Sequence, residues 1–141
     1  DEEQRARMAE LPGKVGGLIE QFSFKAALEE IMAAARAGNK YFDTKTPWAA
    51  RKTDLAACGA TINVCLQTLR TLTTVMQPFL PFAAEKAARM LRLDPTAAFD
   101  WAQAARPLPE GLTLGEPEIL FKKIEPSDPA AEPTSTKPAG K

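Results

Sequence analysis

Leu55, Cys58, Ile62, Cys65, Leu69, Leu72 and Met76 follow one another at spacings of 3, 4, 3, 4, 3 and 4. That rhythm places seven apolar side chains along one side of an α-helix and leaves no room for a strand, whose faces alternate every second residue. It predicts a helix over 53–76 packed lengthwise against others, with knobs-into-holes contacts along the seam. Leu66 and Val75 widen the stripe. Asp54 suits the positive end of the helix dipole, and Pro78 stops the helix because it has no N–H to continue it.

The flanking segments are helical too, less strongly. From Phe24, the apolar positions Phe24, Leu28, Ile31, Ala35 and Phe42 predict a second helix reaching about residue 43. Gly38 inside it costs about 1 kcal/mol, which suggests a place where another backbone comes close. Residues 1–22 read as a weak helix broken at Pro12-Gly13, with Val15, Leu18 and Ile19 as the apolar contacts beyond the break. Pro81 restarts a helix reaching about residue 93, with Ala84, Ala87, Ala88 and Leu91 inward, and Asp94-Pro95 ends it. A short helix is expected over 97–105, with Phe99 and Trp101 as packing residues. Residues 111–124 read as extended, and the strip Ile119-Leu120-Phe121 needs cover. Beyond 125, four prolines among Ser, Thr, Ala and charges read as a disordered tail or linker.

Composition limits the chemistry. The 141 residues suffice for one domain with its own core. There are 18 basic and 18 acidic residues, so any attraction for a polyanion has to be local. The chain has no histidine, which removes the commonest general base and the commonest metal ligand. Cys58 and Cys65 lie seven positions apart, roughly 10 Å along a helix, beyond the reach of a disulfide. Without histidine they also make a poor zinc site, so no metal is expected. They read as small apolar residues in a reducing compartment. No apolar run is long enough to span a membrane, and the charged start at Asp1 is no signal peptide; it reads as a cut from a longer polypeptide. There is no phosphate-cradling glycine loop and no catalytic triad, and Glu29-Glu30 falls on an outward face, so no catalytic site is expected in the chain itself.

Between the two strongest helices lies a polar break. Pro47 occupies a favourable first helical position, and Thr46 before it is a reasonable N-cap. Trp48 therefore sits at a helix start beside a loop. From Arg36 to Lys52 there are five cations (Arg36, Lys40, Lys45, Arg51 and Lys52) against the single acid Asp43. An aromatic plate in a cationic setting suits an unstacked nucleotide base; equally, Trp48 serves as a core residue while the charges solvate the loop.

Asn39-x-Tyr41 followed by Pro47-Trp48 resembles the Asn-x-Tyr…Pro-Trp segment in the anticodon-binding domain of methionyl-tRNA synthetases. The likeness continues through the long helix to Gln77-Pro78-Phe79-Leu80-Pro81, similar to the family's Pro-x-Leu/Met-Pro break. Leu114-Gly115-Glu116-Pro117 and Leu120-Phe121-Lys122-Lys123-Ile124 resemble the stretch that closes that domain. The likeness covers roughly residues 15 to 125.

The resemblance implies an all-α antiparallel helix bundle of the class I synthetase anticodon-binding type, with an irregular C-terminal segment. Its parts are a weakly helical 1–22, a helical bundle over 23–105, an extended closing segment over 106–125 and a Pro-rich tail over 126–141. The implied function is recognition of a tRNA carrying a CAU anticodon, within an ATP-dependent methionine–tRNA ligase located in the cytoplasm. ATP and the chemistry would belong to a catalytic domain elsewhere in the same polypeptide, with no cofactor in this chain. The resemblance gives Trp48 the role of stacking on an anticodon base. Asn39 either contacts a nucleotide or caps the helix end. Arg51 and Lys52 either hold phosphates or are solvated charge, and Tyr41 is expected in the core. One element is lacking: the family's first helix, which carries an anticodon-reading Asn and Arg, has no counterpart here, since Arg5 and Arg7 stand in another context. A bundle short of that helix would leave a seam open. The competing reading is a helical protein–protein interaction or oligomerisation module.

Overall fold

Helix α1 (Glu2–Glu20) runs through Pro12 without a break. Residues 1–124 are described by the computed structural model, so the expected tail over 125–141 lies outside the described residues. Proline in a helix interior costs about 3 kcal/mol. Here Met8, Leu11 and Val15 point to one side and are all buried, and each such side chain gains about 1.5–3 kcal/mol from leaving water. Packing therefore overrides the local break expected at Pro12-Gly13.

Four more helices follow: α2 (Phe24–Lys45), α3 (Pro47–Thr53), α4 (Leu55–Met76) and α5 (Pro81–Met90). There is no strand among the described residues, and the architecture is the expected all-α bundle. Helices α1, α2 and α4 pack on one another around Met8, Leu11, Val15, Ala27, Ile31, Ala34, Leu72 and Val75. No helix among them is long and apolar enough to cross a membrane.

The inner face of α4 is only partly the expected seam: Leu72 is buried and Met76 packs against the core, but the rest of the stripe is displaced. Leu55, Ile62 and Leu69 are 73, 38 and 46 % exposed, while Thr61, Val64, Thr68, Thr71 and Val75 are buried. The buried positions repeat the 3,4 spacing one residue earlier, a rotation of about 100° about the helix axis. Steric room explains the choice. A Cβ built on Gly38 of α2 would lie only 3.1 Å from the Thr68 methyl, so α2 and α4 approach too closely there for leucine. Gly38 thus admits a neighbouring side chain rather than the backbone expected. The threonine hydroxyls are satisfied internally: Thr61 donates to the Ala57 carbonyl at 3.0 Å, Thr68 to Val64 at 2.9 Å and Thr73 to Leu69 at 2.7 Å. Gln4, also buried, donates to the Thr68 hydroxyl at 3.2 Å and ties α1 to the same point.

The α2 stripe turns only in part: Ile31 is buried and Ala35 packs on the core as expected, with Ala27 and Ala34 also buried, whereas Phe24, Leu28 and Phe42 are exposed. In α5 the expected Ala84, Ala87 and Ala88 do face inward, and Leu91 just beyond it is buried. Asp54 caps α4 by accepting from the Ala57 N–H at 2.9 Å. Residues 97–105 form turns and one short 3-10 segment, Trp101–Gln103, rather than an α-helix. They are gripped by the buried Arg70, whose guanidinium donates to Thr74 Oγ1 at 2.6 Å and to the carbonyls of Ala98 and Gln103 at 3.4 and 3.1 Å. Burial pushes the Arg70 pKa down, and the negative charge of Asp100 opposes that.

The closing segment forms neither helix nor strand, turns at Glu110-Gly111 and runs back over α5. The Gly115 N–H donates to the Met90 carbonyl at 2.8 Å, and Arg89 pairs with Glu118 at 3.3 Å. Leu120 is half-buried, but Ile119 and Phe121 remain exposed, so the apolar strip is only partly covered among the described residues.

Two expectations follow. Leu72→Ala should cost about 2–5 kcal/mol in a denaturant titration, whereas Leu69→Ala should cost about 1 kcal/mol or less, since its side chain is nearly half exposed; equal losses would contradict the rotated face. A Cβ at Gly115 would meet the Arg89 carbonyl oxygen at 2.7 Å. Gly115→Ala should therefore release the closing segment, seen as faster proteolytic cleavage within 106–121 at unchanged helicity. Cleavage at the wild-type rate would mean the segment is not held there.

Candidate nucleic-acid interface

The chain reverses between α2 and α3 through one residue. Thr46 ends α2 and precedes α3 at φ 42°, ψ 56°, in the left-handed region. Its side chain makes no cap bond, contrary to the expected N-cap; its backbone does the work. The Thr46 N–H donates to the Phe42 carbonyl at 3.1 Å, and the Thr46 carbonyl accepts from Ala49 and Ala50 at 2.9 and 3.2 Å. Pro47 is buried at the first position of α3, where its missing N–H is no loss.

This reversal throws Trp48 outward. The indole is 55 % exposed. It touches the Phe42 ring, with centroids 5.4 Å apart and planes at 55°. Arg51 and Lys52 stand three and four residues further on, both exposed, on the same side of a helix as Trp48. Neither makes an ion pair with a described residue. Lys45 is occupied: its Nζ lies 3.1 Å from the Asp1 carboxylate and 5.7 Å from the Tyr41 ring centroid.

Asn39 lies within α2, well short of its end, so capping is not its role. It is exposed and makes no side-chain hydrogen bond to a described residue. It lines a cavity of about 390 Å³ between α2 and α4, together with Phe42, Ile62, Cys65, Leu66 and Leu69. Asn39 and Trp48 therefore share Phe42 as a common neighbour: Phe42 bounds the cavity and backs the indole. Tyr41 is half-buried rather than core; its hydroxyl donates to the Asp1 carboxylate at 2.7 Å, and burial pushes its pKa up. Both cysteines are free and half-buried, and burial raises the Cys65 thiol, which stays protonated at neutral pH. No cluster of metal-ligating side chains exists among the described residues.

Two contributors escape the sequence reading. Phe42 counts there only as the continuation of a core stripe; its position in the last full turn before Pro47-Trp48 was the available signal. Arg70 carries no such signal, because an arginine beside an apolar seam looks like solvated charge. The geometry as a whole offers a flat ring with an open face, unpaired cations beside it and an amide next to an apolar hollow.

Three comparisons bear on this arrangement. A family model described as the anticodon binding domain of methionyl tRNA ligase matches residues 2–139. The methionine–tRNA ligase of Bacteroides fragilis is 39% identical over 127 residues, 89% of this chain and 18% of that protein. The Pyrococcus abyssi ligase is 42% identical over 111 residues, 79% of this chain and 15% of that protein. The chain thus spans less than a fifth of the length of these relatives. Among solved structures, the free state of Mycobacterium tuberculosis methionyl-tRNA synthetase superposes with a TM-score of 0.84 at 27% identity, over 89% of this chain and 26% of that one. A structure of the same enzyme with methionyl-adenylate bound gives 0.82 at 27% identity, over 86% of this chain and 25% of that one.

Proposed function

Because the chain belongs to the family of anticodon-binding domains of methionyl-tRNA ligases, we propose that it reads the CAU anticodon of a tRNA, with Trp48 as its stacking plate. The chain serves an ATP-dependent methionine–tRNA ligation whose ATP site and chemistry lie in a catalytic domain of the same polypeptide, working in the cytoplasm.

One observation carries the reading: a large aromatic ring at a helix start is held more than half open to solvent, although burial would favour it by several times the thermal energy. An unstacked base covers the open face on binding. Arg51 and Lys52 meet the adjacent phosphates, and Asn39 hydrogen-bonds a base or ribose at the edge of the hollow. The open seam of Leu55, Ile62 and Leu69 fits a family helix packing there, the one whose Asn and Arg complete anticodon reading. That same seam favours the second reading, a protein-interaction face, which predicts that Trp48 is indifferent to RNA.

Base stacking on an aromatic ring is worth roughly 1–3 kcal/mol, so Trp48→Ala in the full-length ligase should reduce discrimination for the CAU anticodon about 5- to 150-fold. This is measured as the ratio of kcat/KM for charging tRNAs with CAU and with a changed first base. Stability should fall by less than it does for Leu72→Ala. Replacing Arg51 or Lys52 by Gln should weaken binding to cognate and non-cognate RNA alike and flatten the salt dependence. Unaltered discrimination in Trp48→Ala would rule out the stacking role.

A further inference from the structure

Thr46 in the left-handed region and Pro47 buried at the first helical position hold the backbone of Trp48 from one side. What they leave free is the side chain, with its two torsions. A ring hinged at two bonds and open to water sweeps several orientations, and each must be given up when a base stacks on it. Among the described residues, the one ring in contact with the indole is Phe42, at 5.4 Å between centroids and 55° between planes.

We propose that Phe42 is a positioning residue that sets the orientation of the Trp48 ring before RNA arrives; this rests on the stacking role of Trp48 proposed above. The geometry excludes the alternative in which both rings sandwich the base. A base between two parallel rings needs them about 7 Å apart, twice an ordinary ring-to-ring contact. At 5.4 Å and 55° there is no slot. Phe42 therefore covers the rear of the indole and leaves the far face for the base. Phe42 itself is carried on α2 and lines one hollow with Ile62, Leu66 and Leu69 of α4, with about a third of its surface open. The orientation of the plate is thus transmitted from the α2–α4 packing to the tip of α3, across a joint where backbone contact between α2 and α3 is slight.

The test uses Phe42→Ala, Phe42→Leu and the conservative Phe42→Tyr, with Trp48→Ala as reference. In the full-length ligase, Phe42→Ala should lower the CAU preference in charging about 2- to 10-fold. The loss should fall on KM for tRNA rather than on kcat, and Phe42→Tyr should restore it. In the 141-residue chain labelled with 5-fluorotryptophan, the Trp48 resonance should shift and narrow in Phe42→Ala while the Trp101 resonance stays in place as a control for the fold. Should both resonances move together, Phe42→Leu keeps the apolar wall and removes only the ring; it should reproduce the Trp48 change alone. A full CAU preference in Phe42→Ala or Phe42→Leu, alongside its loss in Trp48→Ala, overturns the positioning role and leaves the stacking role intact. An unchanged preference in Trp48→Ala itself overturns both.

Discussion

The rest of the structure depends on threonines that satisfy themselves. Thr61, Thr68 and Thr73 each return a hydroxyl to the carbonyl four residues back, so α4 buries polar side chains without leaving polar atoms unpaired. No buried side-chain nitrogen or oxygen among the described residues lacks a partner. Small, β-branched residues then let α1 and α2 close on α4 at the Gln4–Thr68–Gly38 contact. With a bulkier inner face the helices would stand further apart, and the leucine seam would have to fill the gap.

Because most of the inner face is taken by Thr and Val, the Leu/Ile/Cys seam, Leu72 excepted, is pushed round towards solvent. It becomes one wall of the hollow whose other wall is Asn39 and Phe42 on α2. Packing and recognition are thereby coupled in one helix. The same rotation that seals the core places Phe42 between α4 and Trp48. Arg70 does a comparable job on another side of α4, using carbonyls of the 97–105 turns in place of a helix that never forms there. A buried guanidinium has to keep its acceptors, and here three share that task.

Much of the fold was legible residue by residue. The 3,4 spacing identified α4 as a long packed helix, Pro47, Pro78 and Pro81 marked boundaries, and the alanines of α5 pointed inward as read. At the candidate site, the Pro-Trp helix start singled out Trp48 and local charge Arg51 and Lys52, while Asn39 came only through the family resemblance; all four are exposed. Apart from the helix expected over 97–105, what failed was direction rather than existence. The helical period says that a stripe exists, but two stripes one residue apart share that period. Hydrophobicity ranks leucine above threonine as the inner choice, and it says nothing about how closely two axes approach. Likewise Pro12 carries a local penalty that only the partners of Met8, Leu11 and Val15 could outweigh.

The sequence by itself determined the existence and rough extent of α2, α4 and α5, the position of the break before Pro47 and the chemical character of the segment from Asn39 to Lys52. These follow from local rules: backbone hydrogen bonding, proline's missing donor and side-chain periodicity act over a few residues. Tertiary structure alone decided which face of α4 is buried, that Trp48 stands open with Phe42 behind it, and that Arg70 rather than a helix organises residues 97–105. Those outcomes turn on distances between segments tens of residues apart, where the close approach at Gly38 and Thr68 sets the spacing and steric fit outweighs side-chain hydrophobicity.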